Sequence, residues 1–177
     1  MKKSLLLKTL ASLSAVAVLG VSTLVGASAE GDTLNLKIAD VTGMAGDTVE
    51  VAISAENNPG LEGIGGKIQF DEALTIDKTA KPGSLLGGGL FMIDPESDNF
   101  IFAGSAMEVS GDTEGTIGII NFTIPEDAEP GTVYELNWDF LDDYSNAEGS
   151  VNSASITLDN GSITVGGATT TPPVVTE

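Results

Sequence analysis

Three separated stretches of the chain, 46–53, 63–71 and 156–165, alternate between apolar and polar residues. In the first of them, Val49 and Val51 fall on one side, and the polar residues around them fall on the other. A period of two places successive side chains on opposite faces of a β-strand. The three stretches therefore predict half-buried strands of the kind that build antiparallel sheets with one face towards a core.

The sequence between these stretches adds further strands and turns but no helical periodicity. Strands are predicted at 34–38, 47–55, 63–71, 74–76, 100–103, 116–124 and 134–140, with the last strands on either side of an Asn160-Gly161 turn. The glycine-rich segment 81–99 is predicted to be irregular, and 142–153 to be a polar excursion. Short strands separated by Gly, Pro and Asn turns predict an all-β sandwich.

The chain begins with the pattern of a secretory signal peptide. A basic start is followed by an apolar run at 10–25 and by the small residues Ala27-Ser28-Ala29, which suit cleavage after residue 29. A membrane anchor that stays attached is the alternative, but Ser and Gly interrupt the run, and an acidic, strand-like sequence follows at once. We expect a secreted protein with no membrane insertion once residues 1–29 are removed.

One folded domain is predicted at 30–167, followed by a Thr- and Pro-rich tail at 168–177. A tail of this composition forms an extended linker and cannot build a core of its own. The chain contains no Cys, so hydrophobic packing alone must hold the domain together.

The charge of the chain excludes several classes of partner. Without residues 1–29, four lysines and no arginine stand against 26 acids, which gives a net charge of −22. A surface this acidic repels nucleic-acid phosphates and anionic lipid headgroups. We therefore expect no nucleic-acid partner.

The composition also excludes most catalytic sites. The chain has no His and no Cys, which removes catalytic triads, thiol nucleophiles and histidine-bound zinc. Aspartic proteases need an Asp-Thr-Gly or Asp-Ser-Gly turn, whereas this chain has Asp47-Thr48-Val49 and Asp112-Thr113-Glu114. A glycosidase pair is compatible with so many acids, but the aromatic residues on which sugars stack are few. We predict no catalytic residues.

No metal site is predicted either. The acidic run 94–98 begins like an EF-hand calcium loop, but Asn99 stands at the sixth position and Ser105 at the twelfth. Asp139, Asp142 and Asp143 form a second acidic group. We expect both groups to be solvated loops.

Apolar residues on both faces of the predicted strand 116–124 indicate a binding surface. If Gly118 and Ile120 face the core, then Ile117 and Ile119 face outwards, beside the outward residues of two other strands. The predicted partner-binding residues are Gly65, Lys67, Gln69, Ile101, Ala103, Ile117, Ile119 and Asn121. A flat apolar patch with a polar rim is typical of a protein interface. The alternative is that segment 81–99 covers this strand and buries both of its faces.

Five segments, in their order along the chain, resemble the cohesin family, the receptor modules with which scaffold proteins of cellulosome-type complexes hold dockerin-bearing enzymes. They are Gly46-Asp47-Thr48-Val49, Gly63-Ile64-Gly65-Gly66 leading to Phe70-Asp71, Phe100-Ile101-Phe102-Ala103, Gly115 to Ile124 followed by Ala128-Glu129-Pro130-Gly131, and Asn160-Gly161-Ser162-Ile163-Thr164-Val165. The resemblance spans 34–165. It implies a nine-stranded jelly-roll β-sandwich.

The resemblance also implies a function without chemistry. One sheet face, built from the third, fifth, sixth and eighth strands, would receive the dockerin of a secreted carbohydrate-active enzyme. The dockerin carries the calcium, so the cohesin itself needs no cofactor. We expect the free protein to be a monomer.

Two other functions suit a secreted β-sandwich. A carbohydrate-binding module would expose two or three aromatic side chains, but Trp138 alternates in phase with Tyr134, Leu136 and Phe140, which predicts a place in the core. A structural cell-surface module would need only the fold and would have no reason to expose an apolar patch.

Overall fold

The computed structural model describes residues 33–94, 99–146, 148–152 and 155–167, and for 99–101, 140, 142 and 143 it describes the backbone alone. The predicted signal peptide, the predicted linker and most of the acidic run 94–98 lie outside the described residues.

Twelve strands and one turn of 3-10 helix form in the described part of the chain. The strands are β1 (Leu34–Ile38), β2 (Val41–Gly43), β3 (Thr48–Glu56), β4 (Gly63–Gln69), β5 (Thr75–Pro82), β6 (Leu90–Asp94), β7 (Asn99–Ser105), β8 (Glu114–Thr123), β9 (Val133–Asn146), β10 (Gly149–Ser150), β11 (Ile156–Asp159) and β12 (Gly161–Val165). The 3-10 turn is Ser84–Leu86. Within the described residues, no helix has the length and apolar character needed to span a bilayer.

The strands form two sheets. One has the order β11-β1-β3-β8-β5, and the other has the order β2-β12-β9-β4-β7-β6, with β10 paired to β9. The predicted all-β sandwich is confirmed. β1 and β2 carry the chain from the first sheet into the second, and β11 and β12 make the same crossing in parallel beside them. If each crossing is counted as one strand and β10 is set aside, nine strands remain, as in a jelly roll.

Alternate residues of the strands build the core between the sheets. On β3, Val51, Ile53 and Ala55 are buried, while Glu50 and Glu56 are exposed. Fully burying a side chain such as Ile or Leu contributes roughly 1.5–3 kcal/mol, and the same alternation recurs on β1, β4 and β12. The hydrophobic effect along these alternating strands is therefore what holds the domain together.

Three parts of the predicted strand pattern were wrong. Segment 81–99 is not irregular throughout, because it contains β6. The polar excursion at 142–153 is instead largely strand, since β9 continues to Asn146 and β10 pairs with it. Asn160 does not join a hairpin, because β11 pairs with β1 in one sheet and β12 pairs with β9 in the other.

The prediction that Ile117 faces outwards was also wrong, and a β-bulge is the reason. Ile53 pairs with Gly118 and the next residue, Ser54, pairs with Thr116, so Ile117 is an extra residue on β8. A bulge breaks the period of two, and successive residues can then share a face. Ile117 is 0% exposed and Gly118 is also buried.

Candidate partner-binding face

The predicted binding residues do not form one surface. Gly65, Lys67, Gln69, Ile101 and Ala103 belong to β4 and β7, whereas Ile117, Ile119 and Asn121 belong to β8 in the other sheet. The predicted single patch is therefore wrong, since the chain places β8 on the opposite side of the sandwich.

The outward side of β9, β4, β7 and β6, here called the open face, contains the five predicted residues of β4 and β7. Gly65, Lys67 and Gln69 alternate with buried residues on β4, and Ala103 is exposed on β7. Ile101 lies opposite Lys67 in the register of the two strands; its side chain is outside the described part of the structure. These residues remain candidates for contact with a partner.

The open face also exposes two large apolar side chains that were not predicted. Leu90 is 62% exposed and Met92 is 59% exposed, while Phe91 between them is buried. Met92 pairs with Ala103, and Ala103 pairs with Gly65 on the next strand. Neighbouring strands lie about 4.8 Å apart, so these residues form one row across three strands. Because Ala and Gly are small, nothing in that row shields the Met92 side chain.

One ion pair lies beside this row. The Nζ of Lys67 is 3.2 Å from Oδ2 of Asp139, and both side chains are partly exposed. Asp139 is an extra residue on β9, because Ile68 pairs with Trp138 and Lys67 pairs with Phe140. The bulge brings the carboxylate to the lysine, and the pair gives the open face a polar border.

The side chain of Phe91 anchors the edge strand β6 to the core. The ring of Phe91 lies 5.6 Å from the ring of Phe102 and rests directly on Gly118 of the opposite sheet, where a Cβ atom would overlap it. The ring also lies close to Gly104 on the neighbouring strand, where a Cβ atom would be 3.3 Å from it. Because Phe91 is locked inwards, its neighbours Leu90 and Met92 are held outwards.

The loop after β7 extends the open face. Met107 is 77% exposed and its backbone N–H donates to the carbonyl oxygen of Leu86 at 3.2 Å. Gly89 lies against Met107 and directly precedes Leu90. The exposed side chains of Leu90, Met92 and Met107 therefore lie along one edge of the sandwich.

The buried side-chain amide of Asn58 connects this loop to the core. Asn58 donates to the carbonyl oxygen of Asp112 at 3.0 Å and accepts a hydrogen bond of 2.7 Å from the hydroxyl of Tyr144. Burial raises the pKa of Tyr144 above its ordinary value, so the hydroxyl remains the donor of this bond even in alkaline solution. Gly60 packs against Val109 of the same loop. The loop that carries Met107 is thus tied to the body of the domain.

The outward side of β5, β8, β3, β1 and β11, here called the polar face, has a different chemistry. Lys81 on β5 binds Glu50 on β3 at 2.6 Å. Since β8 lies between those two strands, the ion pair crosses its outer surface close to Ile119, which pairs with Lys81. Ile119 is only half-exposed.

Hydrogen bonds complete the polar face. The carboxylate of Asp77 accepts from the backbone N–H of Thr79 at 3.0 Å. This bond, the Thr79 hydroxyl and the Asn121 side chain lower the pKa of Asp77. Asn121 is half-buried on the polar face, and its side-chain oxygen has no hydrogen-bond partner among the described residues.

Neither sugar-stacking rings nor a metal cage can be identified among the described side chains. Trp138 packs on the core, with its ring 5.8 Å from that of Phe102 and its indole N–H donating to the carbonyl oxygen of Asp159 at 3.1 Å. Its predicted core position is confirmed. No aromatic side chain that the structure describes is exposed. No group of three Asp or Glu residues in the described part is arranged to hold a metal ion.

A family model decides the identity of the fold. The model of the cohesin domain matches residues 34–165. The chain belongs to the cohesin family. No curated protein matches this cohesin.

Solved structures of other cohesins share the fold. The seventh type I cohesin of the scaffoldin ScaB from Pseudobacteroides cellulosolvens is 21% identical, with a TM-score of 0.65 over 82% of this chain and 97% of that one. A type I cohesin–dockerin complex from Clostridium thermocellum is 16% identical, with a TM-score of 0.65 over 75% and 99%. A non-cellulosomal cohesin from Archaeoglobus fulgidus is also 16% identical, with a TM-score of 0.63 over 76% and 92%.

β6 changes which strands of this chain carry the numbers that the family resemblance implies. When β6 is left out, as in the strands predicted from the sequence, β8 counts as the sixth strand. With β6 included, the third, fifth, sixth and eighth of the nine strands are β4, β6, β7 and β9, which are neighbours in one sheet. The sequence did hold a signal for β6: four consecutive apolar residues, Leu90-Phe91-Met92-Ile93, follow the glycine run 87–89. The glycines before them obscured that signal.

Proposed function

We propose that this cohesin is a non-catalytic receptor that binds a dockerin domain through its open face. The observation that carries the proposal is the exposure of Leu90 and Met92 beside Ala103, on the same four strands that the family resemblance implies for docking. The dockerins named with the related cohesins support the choice of partner. A spacer module would have no use for this surface.

The open face has the composition of a protein interface. Its exposed apolar side chains lie next to small residues, which let a partner approach the backbone closely. Lys67, Asp139 and Gln69 border them and offer hydrogen-bonding groups at the rim. The apolar side chains lie on the edge strand β6 and the polar groups on β4 and β9 of the same sheet, so a partner can desolvate the apolar part while the polar part stays hydrated.

The proposal includes a cellular context. After removal of residues 1–29, the domain would work outside the cell as a monomer, without insertion into a membrane. There it would hold secreted carbohydrate-active enzymes for polysaccharide degradation, and residues 168–177 would join it to its surroundings. Cohesins of scaffoldins and of a cell-surface anchoring scaffoldin are among its structural relatives, which supports this placement.

Titration calorimetry against a panel of dockerins from the same organism, with calcium present, tests the proposal. We expect at least one dockerin to bind with one-to-one stoichiometry. Absence of binding to every member of the panel would refute the proposed function. The matched negative control is each dockerin in calcium-free buffer with chelator.

We further propose that the calcium of the complex belongs to the dockerin. Chelator should abolish binding and leave the melting temperature of the isolated cohesin within about 2 °C of its value with calcium. A fall of about 4–8 °C corresponds to roughly 1 kcal/mol of lost stability in a small domain. A fall of that size or larger would instead place a structural calcium ion in the cohesin.

A further inference from the structure

Methionine provides the only oxidisable sulfur in the domain, and it is concentrated at the open face. The chain has no Cys, and its methionines after the first residue are Met44, Met92 and Met107. Met92 stands on the open face at 59% exposure, and Met107 stands in the adjoining loop at 77% exposure. Met44, at 49% exposure, lies in the turn before β3, away from this face.

We infer that Met92 and Met107 are modification sites, and that their oxidation to the sulfoxide by a peroxide releases the dockerin. The inference rests on the proposed function, because it concerns the surface through which the partner binds. The sulfur attacks a peroxide oxygen, an S–O bond forms and the O–O bond breaks. The sulfur loses two electrons and the peroxide gains them. With hydrogen peroxide, the proton on the transferred oxygen passes through solvent to the departing hydroxide, which leaves as water.

The structure explains why these two sulfurs are open to the oxidant. Met92 faces Ala103 across the strand pair, and Gly65 is the next residue in the row. Neither is large enough to cover the thioether. Phe91 on the inner side keeps β6 in place, so Met92 cannot turn into the core. Met107 projects from a loop that is anchored at its backbone.

Because the two methionines are exposed on the binding surface, their oxidation changes the surface that the dockerin contacts. A sulfoxide converts a flexible apolar side chain into a polar one with a strong acceptor oxygen. When a partner covers the open face, that oxygen must lose its water without a designed donor to replace it. We expect the affinity for dockerin to fall by about tenfold to a hundredfold.

The test uses the purified protein and the dockerin that binds best in the panel described above. The protein is treated with hydrogen peroxide, the peroxide is removed with catalase before the dockerin is added, and peptide mass spectrometry quantifies the sulfoxide at each methionine. The double variant Met92→Leu/Met107→Leu keeps both positions apolar; its affinity is measured before and after treatment, and treatment should cause no loss relative to its own untreated value. The matched control Met44→Leu should lose affinity like the parent protein.

Two further measurements separate a local effect from damage to the fold. Met92→Gln imitates the polarity of the sulfoxide and should weaken binding without peroxide, while the melting temperature stays unchanged. Oxidation of Met92 and Met107 should be slower in the complex than in the free protein, whereas oxidation of Met44 should proceed at the same rate.

The possible outcomes separate the two proposals. If the untreated protein binds no dockerin, the proposed function fails and this inference fails with it. If the untreated protein binds and the protein with sulfoxide at Met92 and Met107 binds equally well, the inference alone is overturned. An equal loss of affinity in the treated double variant would overturn it too, since the sensitive group would then lie elsewhere.

Discussion

The two outer faces of the sandwich start from the same alternating pattern and treat their apolar residues in opposite ways. On the polar face, Ile119 is half-buried and lies on β8, which the ion pair of Lys81 with Glu50 crosses. On the open face, Leu90 and Met92 are exposed and pair with the small residues Ser105 and Ala103. Charged neighbours can therefore shield an outward apolar side chain in this domain. Met92 pairs with Ala103 and has no such charged partner in its three-strand row, which is what we expect of a surface that binds a protein rather than one that only faces solvent.

The lysines of the domain lie mainly on the polar face. Lys37, Lys78 and Lys81 lie on β1 and β5, strands of the polar face, and Lys67 is the lysine of the open face, where Asp139 binds it. Long lysine stems cover apolar surface while their ammonium groups stay hydrated. The polar face has more of these covers than the open face.

The largest expected effect comes from the buried side of β8. Ile117→Asp and Ile120→Asp each place a carboxylate where the native side chain is 0% and 1% exposed. A buried unpaired charge costs several kcal/mol, which approaches the whole stability of a typical domain. We expect both variants to be unfolded at 25 °C by circular dichroism. If Ile117→Asp melts like the parent protein, the bulge in β8 is wrong and Ile117 faces outwards after all.

The second effect compares the two faces directly. Met92→Asp should lower the affinity for dockerin by about thirtyfold or more, since loss of an important interface side chain costs about 2 kcal/mol or more and about 1.4 kcal/mol is a factor of ten. Ile119→Asp introduces the same charge on the polar face and should leave binding unchanged. Titration calorimetry measures both. The reverse result, with Ile119→Asp alone losing affinity, would move the binding site to the polar face.

A third prediction concerns the lock that holds β6 in place. A methyl group at Gly118 would overlap the ring of Phe91, and overpacking a core costs about 1–3 kcal/mol. Gly118→Ala should therefore lower the free energy of unfolding by that amount and weaken dockerin binding as β6 shifts. Gly111→Ala is the matched control, because a Cβ atom there meets open space. Equal stability of the two variants in urea would show that Phe91 does not rest on Gly118.

The smallest effect belongs to the ion pair of the polar face. The side chains of Lys81 and Glu50 are 60% and 58% exposed, and exposed pairs contribute about 0–1 kcal/mol, less at high salt. Lys81→Ala should lower the free energy of unfolding by less than about 1 kcal/mol and leave the dockerin affinity unchanged. A loss of binding in this variant would contradict the assignment of the two faces.

Much of the fold could be predicted from local patterns. Alternation on β1, β3 and β4 correctly assigned buried residues such as Ile53 and Ile68. Trp138 was correctly predicted to pack on the core because it shares the phase of Tyr134 and Leu136. These predictions succeeded because one buried face fixes a strand of period two.

The candidate site was harder to predict, and the reasons are physical. An extra residue at Ile117 reverses the phase of β8 for part of its length, and a bulge leaves no clear mark in composition. The sheet to which β8 belongs depends on its pairing with β3 and β5, contacts that are distant along the chain. Leu90 and Met92 were missed because the glycines before them indicated a loop, although the strand that follows is held by Phe91.

The most direct test of the open face is a nuclear magnetic resonance map of the complex. Isotope-labelled cohesin is titrated with unlabelled dockerin, and shift changes are followed for backbone amides and for the methyl groups of Leu90, Met92, Ala103 and Ile119. We expect large changes along β4, β6, β7 and β9, including the first three of those methyl groups, with Ile119 unaffected. Large changes centred on Ile119 and β8, with Leu90 and Met92 unchanged, would show that the dockerin binds the polar face instead.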